Sequence, residues 1–306
     1  MNKIKIIVIV GPTATGKTNL AIKIAEKINS EIISADSAQV YKEFSICTAK
    51  PSVDQLCRVK HHLIGHITIS ENYNVMKFVS ESKYLINKIS NLNKVPILVG
   101  GTGLYIDALI NNFQFEIDNK NYYNLESKQD MFNKLKVLDP IGAKNIDKND
   151  YRRINRAINF FEKFGFSISS QKSNTLNANS KYEILKIGLN FRDRSLLYES
   201  INKRVDLMFK NGLIEEVNNI RKYKISRNAA SIIGYKELLP YFENKLKLEE
   251  SVETIKRETR RYAKRQITWF KRCIFTDWKF CDEYYCKSIE NSIFEKIYDL
   301  NFEKQV

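Results

Sequence analysis

The run Gly11-Pro12-Thr13-Ala14-Thr15-Gly16-Lys17-Thr18 sets two glycines, a lysine and a hydroxyl at the spacing of a phosphate-binding loop. Glycines let the backbone turn tightly enough for successive amides to converge on phosphate oxygens. Lys17 supplies a point charge for a terminal phosphate, and the Thr18 hydroxyl is a ligand for Mg²⁺. The pattern selects a diphosphate or triphosphate, ATP-type nucleotides included, and says nothing about the reaction. A tight turn without a ligand is the bland alternative. The apolar strand before the loop and the amphipathic helix after it argue against that reading.

Two more polar residues stand where a strand should end. Asp36 lies in Ser34-Ala35-Asp36-Ser37-Ala38-Gln39-Val40-Tyr41, and Thr102 follows Val95-Pro96-Ile97-Leu98-Val99-Gly100-Gly101. A nucleotide-hydrolysing protein with this loop usually ends that later strand in an aspartate that holds the metal. A threonine donates a hydrogen bond to a phosphate or bridging oxygen but does not hold a metal as a carboxylate does. In an open α/β sheet the strand C-termini face the ligand crevice, so Asp36, Thr102 and the loop are expected at one site. A helix N-cap or turn residue is the bland alternative for Asp36.

These positions require a particular frame. Residues 4–10 form a β-branched apolar run suited to a strand buried on both faces. Leu20, Ile22, Ile24, Ala25 and Ile28 recur at helical spacing, Glu31–Ser34 reads as a second strand, and a helix is predicted over 75–89. Val95–Val99 is a third strand and Tyr182–Leu189 a further one. Alternating strands and helices predict an α/β fold with a P-loop type parallel sheet flanked by helices. The catalytic core is expected to span residues 1–110 and 147–306, mostly helical toward its C-terminal part. A small Asn/Lys-rich helical insertion is expected over 111–146. No internal repeat is evident, and the segment after Cys281 carries little signal.

In chain order, several blocks resemble those of the tRNA dimethylallyltransferases, also called tRNA isopentenyltransferases. They are Gly11–Thr18, Asp36–Tyr41, Thr48-Ala49-Lys50-Pro51, Val99-Gly100-Gly101-Thr102-Gly103-Leu104-Tyr105 and Asp150-Tyr151-Arg152-Arg153-Ile154-Asn155-Arg156-Ala157. Ile233-Gly234-Tyr235-Lys236-Glu237 and Ala263-Lys264-Arg265-Gln266-Ile267-Thr268-Trp269-Phe270 continue the set. The resemblance covers most of residues 4 to 272, and the ordered set is far more specific than any single block. It implies transfer of the dimethylallyl group of dimethylallyl diphosphate to N6 of adenosine 37 in tRNAs reading codons that start with U.

Roles follow from the same resemblance. Asp36 becomes the general base, and Thr102 a contact to the bridging oxygen of the diphosphate. Lys17, Thr18 and Arg204 hold the diphosphate with Mg²⁺; without the aligned block, Arg204 would read as a solvated helix residue. Contacts to the tRNA anticodon stem-loop are implied for Asp36, Ser37, Ala38, Gln39 and Thr102. They are also implied for Arg152, Arg153, Ile154, Asn155 and Arg156, and for Ser231, Ile232, Ile233, Gly234, Tyr235 and Lys236. Arg260, Lys264 and Arg265 complete the set. The family pattern further implies a monomer.

Three positions depart from the family. Lys60 and Gly65 stand where Pro and Asp usually flank the His61-His62-Leu63-Ile64 block, and Ser200 stands where Arg is common. The insertion is also shorter than usual, and its arginine-bearing first helix is hard to find. His61, His62 and His66 lack the matched Cys or carboxylate spacing of a metal site.

Charge supports an RNA partner. The 306-residue chain carries 50 Lys and Arg against 35 Asp and Glu, a formal +15. Scattered lysine can reflect nucleotide composition, so location decides. Eight cations and one acid lie between Lys256 and Arg272, interleaved with Tyr262, Trp269 and Phe270. Cations meet phosphates and aromatic faces stack bases, the chemistry of RNA binding. Trp269 and Phe270 are expected to pack in the core instead. At 43% hydrophobic residues the chain is too apolar for disorder. No apolar run reaches the roughly 20 residues of a membrane span, and five cysteines without framework spacing fit a reducing compartment, the cytoplasm. Three rivals share the loop: an enzyme prenylating free adenine nucleotides, a small-molecule kinase and a noncatalytic RNA-binding protein. The basic segment opposes the first. The absent strand-end aspartate opposes the second, and intact Lys17, Asp36 and Thr102 oppose the third.

Overall fold

The computed structural model describes residues 3–115, 128–174, 181–272, 276–282 and 287–305. The chain divides into two compact units, one of residues 1–106 and 181–306, the other of 107–180.

The first unit is built on a six-stranded sheet whose paired strands all run parallel, in the order β3-β2-β4-β1-β5-β6. The strands are β1 (Ile4–Val10), β2 (Ile32–Ser34), β3 (His61–His62), β4 (Ile97–Gly100), β5 (Tyr182–Asn190) and β6 (Asp277–Phe280). Its helices are α1 (Lys17–Lys27), α2 (Val53–Arg58), α3 (Val75–Ser90) and α4 (Gly103–Ile110), the last of which runs into the second unit. The second unit holds α5 (Lys128–Leu138), α6 (Pro140–Asn145), α7 (Tyr151–Phe164) and α8 (Ile168–Asn174). The chain then returns through α9 (Arg194–Lys210), α10 (Leu213–Ile220), α11 (Tyr235–Phe242), α12 (Leu248–Phe270) and α13 (Lys287–Asp299).

Strand β1 is central because it is apolar on both sides: Ile6 through Val10 are fully buried. Its register places Val10 beside Gly100 of β4, and Val99 of β4 pairs with Ser34 of β2. The three strands therefore end at one level, and the segments leaving them emerge side by side. This is how residues 11, 36 and 102, distant in sequence, come to share a site.

Two strands escape the sequence pattern. β3 is only two residues long, and β6 is a half-buried edge strand with mixed polarity. The segment after Cys281, which carried little signal, closes the core. Ile293, Ile297 and Phe302 join the cluster formed by α1, β1, β4 and β5, and the Gln305 amide donates to the carbonyls of Lys5 and Lys94. The second unit has its own small core of Met131, Leu135, Ala143, Ile154, Ala157 and Ile158. It takes in α7 as well as the expected 111–146 insertion, whose residues 116–127 lie outside the described ones.

Candidate active site

The phosphate-binding loop turns twice through left-handed backbone, at Ala14 (φ 65°) and at Gly16 (φ 79°), which also caps α1. Such turns gather successive N–H groups into a concavity for an anion, and α1 adds its positive dipole end. The Thr15 hydroxyl donates to the Pro12 carbonyl at 2.9 Å, and Lys17 Nζ donates to the same oxygen at 2.6 Å. The loop is thus preformed, with its lysine folded back over it.

A cleft of about 630 Å³ opens beside this loop. It is lined by Thr13–Thr18, Asp36–Gln39, Gly100, Gly101, Arg204, Ser231–Ile233, Lys236 and Arg265. Most of the residues the sequence singled out therefore meet here. Asp36 Oδ1 accepts the amides of Ala38 and Gln39 at 2.8 and 3.2 Å, which fixes the direction of the carboxylate. The Ser37 amide donates to Thr102 Oγ1 at 3.1 Å, so the ends of β2 and β4 are tied at the site. Gln39 anchors the next turn by donating to the carbonyls of Thr48 and Ala49.

Arg204 reaches the cleft from α9, which packs on α12 through Leu197, Ile201 and Ala263. Its Nη1 donates to Thr13 Oγ1 at 3.2 Å. Burial and the neighbouring guanidinium push Lys17 down to about 7, while Asp36 pulls the other way. Burial likewise lowers Arg204, opposed by Asp36. Two cations held close together in a desolvated wall, against one carboxylate, make a site short of negative charge. Such a site suits a polyanion.

The Thr18 hydroxyl lines the same cleft, and no cluster of three His, Cys, Asp or Glu that could hold a metal forms among the described residues. Thr18 is thus the residue here that could contribute a ligand to Mg²⁺, the rest of whose shell a phosphate and water could fill. The three histidines have other partners. His61 Nδ1 lies 2.7 Å from the Val59 carbonyl, His62 Nε2 2.7 Å from Glu31, and His66 Nε2 3.2 Å from Glu81.

A family model described as IPP transferase matches residues 39–273. The chain belongs to the IPP transferase family. A tRNA dimethylallyltransferase from Thermoanaerobacter sp. (strain X514) is 44% identical over 293 residues, spanning 92% of this chain and 93% of its own. One from Caldanaerobacter subterraneus subsp. tengcongensis is 42% identical over 305 residues, spanning 95% and 97%. Among solved structures, the tRNA delta(2)-isopentenylpyrophosphate transferase of Staphylococcus epidermidis aligns with a TM-score of 0.74 at 35% identity, covering 97% of this chain and all (100%) of that one. A eukaryotic dimethylallyltransferase acting on tRNA aligns with a TM-score of 0.80 at 28% identity, over 97% of this chain and 80% of its own.

The departures from the family pattern have local explanations. Ser200 Oγ donates to the Ala14 carbonyl at 3.0 Å, so this position braces the phosphate loop directly. Gly65 has a left-handed backbone (φ 56°), and a Cβ there would stand 3.3 Å from Lys50 Nζ. With no acid at 65, the Lys50 ammonium donates to the carbonyls of Tyr41 and Lys42. Lys60 pairs with Glu31 at 3.4 Å.

The basic helix α12 divides by face. Lys264 and Arg265 are exposed, whereas Arg260 is half-buried and donates to Asn202 at 2.7 Å. Arg261 is held by Glu258, and Lys256 by Asp206. Phe270 is fully buried and Trp269 half-buried, its indole set against the place where Gly103 would carry a Cβ. In the 231–236 turn, Ile232 and Tyr235 are buried and Gly234 donates to Glu237 at 2.8 Å, leaving Ser231 and Lys236 more accessible. On α7, in the second unit, Arg152, Arg153 and Arg156 are exposed, while Ile154 and Asn155 face that unit's interior.

Gln266 and Glu216 escaped the sequence, which marks Tyr262 only as an aromatic among the cations of its segment. Tyr262 reaches the Thr102 hydroxyl, and burial followed by the nearby Asp36 charge raises its phenol. Gln266 is taken up below. Glu216, on α10, accepts the amides of Ser45, Ile46 and Cys47, each at 2.8 Å, and so shapes the 44–50 turn along the cleft. A lone Gln or Glu in an amphipathic helix has no spacing that would reveal it.

Proposed function

We propose that this enzyme transfers the dimethylallyl group of dimethylallyl diphosphate to N6 of adenosine 37 in tRNAs reading codons that start with U, releasing diphosphate. The reading is carried by the convergence of Asp36, Lys17 and Arg204 at one cleft of an IPP transferase, with the Thr102 hydroxyl tied to Ser37 of its lining. The names of the relatives support it.

The adenine N6 amine is a weak nucleophile, its lone pair being delocalised into the ring. As it attacks the allylic carbon, a proton must leave, and Asp36 takes it. Two backbone amides hold one oxygen of that carboxylate, which orients the other toward the incoming base. On the opposite side the carbon–oxygen bond breaks and the electron pair departs with the diphosphate. Lys17, Arg204 and the loop amides neutralise the charge that gathers there, and Thr102 addresses the bridging oxygen. Mg²⁺, held by Thr18 and the diphosphate, would add further neutralisation. No phosphoryl group moves, which accounts for a phosphate loop without a strand-end aspartate. The target base must leave the anticodon stack to reach the cleft. Exposed Lys264, Arg265 and Lys236 supply cations for the surrounding phosphates, and Arg152, Arg153 and Arg156 offer more on the second unit.

The enzyme works as a cytoplasmic monomer in this reading. Among the described residues no helix is long and apolar enough to cross a membrane, and Cys47, Cys57 and Cys281 are free, Cys273 and Cys286 lying outside them. Purified protein with Mg²⁺ and labelled dimethylallyl diphosphate should label unmodified tRNA bearing A36 and A37. ATP-dependent labelling of a small substrate, with none of tRNA, contradicts the proposal.

A further inference from the structure

Gln266 joins two loops beyond the ends of the paired strands β1 and β4. Its Oε1 accepts the Thr13 amide at 2.9 Å, and its Nε2 donates to the Gly101 carbonyl at 3.0 Å. Thr13 belongs to the phosphate-binding loop, and Gly101 immediately precedes Thr102. The residue is 5% exposed, in contrast to its exposed neighbours Lys264 and Arg265. A Cβ on Gly101 would stand 2.1 Å from Nε2, so the glycine is what lets the amide approach. One turn earlier on α12, the Tyr262 phenol lies beside both Gln266 and the Thr102 hydroxyl.

A carboxamide can accept and donate in opposite directions at once, which is what the two loops require. A glutamate would accept from Thr13 but could not, when ionised, donate to Gly101. It would also set a negative charge beside the place for a diphosphate. An apolar side chain of the same length would satisfy neither loop.

We propose that Gln266 is a positioning residue that sets the phosphate-binding loop against the turn carrying Thr102. A diphosphate gripped by the loop then presents its bridging oxygen to the Thr102 hydroxyl. This rests on the transfer reaction proposed above. Gln266 does not touch the reacting atoms; it fixes the distance between two groups that do. Its effect therefore falls on diphosphate binding and on the chemical step, and the tRNA contacts of the same helix are left in place.

The test uses Gln266→Leu and, from the opposite partner, Gly101→Ala, which displaces the amide while leaving the glutamine in the chain. In each variant that melts close to wild type, affinity for inorganic diphosphate with Mg²⁺, measured calorimetrically, should fall about fivefold or more. The kcat for tRNA prenylation should fall about tenfold or more, since small misplacements of reacting groups are costly. The KM for tRNA should stay within about twofold, and the double variant should be little worse than the poorer single one, as for two changes that break one interaction. Diphosphate affinity and kcat within twofold of wild type, or an effect confined to the KM for tRNA, overturns the proposal. If Gln266→Leu does not fold, Gly101→Ala decides alone. Should the wild type bind diphosphate yet transfer nothing to tRNA, the reaction assignment fails, and the calorimetric comparison still judges Gln266.

Discussion

The Ser37 amide donates to the Thr102 hydroxyl oxygen at 3.1 Å, binding the turn that carries the proposed base to the turn that carries the proposed leaving-group contact. Asp36 is the preceding residue, and its own Oδ1 caps the next two amides of the same turn. Base and leaving-group contact are therefore one rigid piece across the ends of β2 and β4.

Asp36→Asn separates the chemistry from this architecture. Asparagine keeps an oxygen to accept from Ala38 and Gln39 but removes the base. Loss of a general base costs typically ~10²–10⁴-fold in rate. We expect kcat to fall by that order with tRNA affinity nearly intact, as read by single-turnover kinetics and a filter-binding titration. A large loss of tRNA affinity with an unchanged rate would make Asp36 a binding residue.

Lys17 should reveal the cost of confining two cations beside one carboxylate. Its folded value lies at about 7, below the ordinary 10.5, because burial and Arg204 penalise the cation. The penalty on the fold is fully present below pH 7, shrinks as pH rises above it and is gone near 10.5. Lys17→Met should therefore raise the melting temperature of the ligand-free protein most at pH 6 and progressively less toward pH 10. Diphosphate supplies the missing anion, so its binding near pH 7 should draw a proton onto wild-type Lys17. Calorimetry in buffers of different ionisation enthalpy should show greater net proton uptake in wild type than in Lys17→Met. Equal uptake would place the lysine in its ordinary charged state before binding.

The exposed cations of α12 should act by neutralising RNA phosphates. Lys264→Ala with Arg265→Ala should weaken tRNA binding and reduce the slope of log K against log salt by about 0.7–0.9 for each phosphate left without its cation. Lys256 and Arg261, already paired with acids, should contribute less. An unchanged slope would assign Lys264 and Arg265 to a merely solvated face.

How much of this was legible in the sequence follows from what each feature depends on. The phosphate loop and Asp36 could be read because their chemistry is tied to a strand end, and the apolar run of 4–10 announces that strand. β3 could not, since two residues have no periodicity; pairing with β2 makes His61 and His62 a strand. β6 was hidden because Asp277-Trp278-Lys279-Phe280, although it alternates in polarity, is only four residues long, and all four are half-buried along an edge. The core face of α13 was available in principle: Ile289, Ile293 and Ile297 repeat every four residues, a spacing that suffices to predict a buried stripe. Gln266 was not, because its role is set by two loops that meet only after the sheet has formed. Arg204 depended wholly on family resemblance, as nothing local distinguishes one cation in a polar helix.

The most direct test offers wild-type protein, Mg²⁺ and labelled dimethylallyl diphosphate to unmodified tRNA and to a free adenine nucleotide side by side. Digestion and mass spectrometry then locate the label. The structure and its cationic surface predict label in the tRNA at N6 of adenosine 37 and little or none in the nucleotide. Label in the free nucleotide with the tRNA untouched would contradict the assignment of tRNA as the substrate.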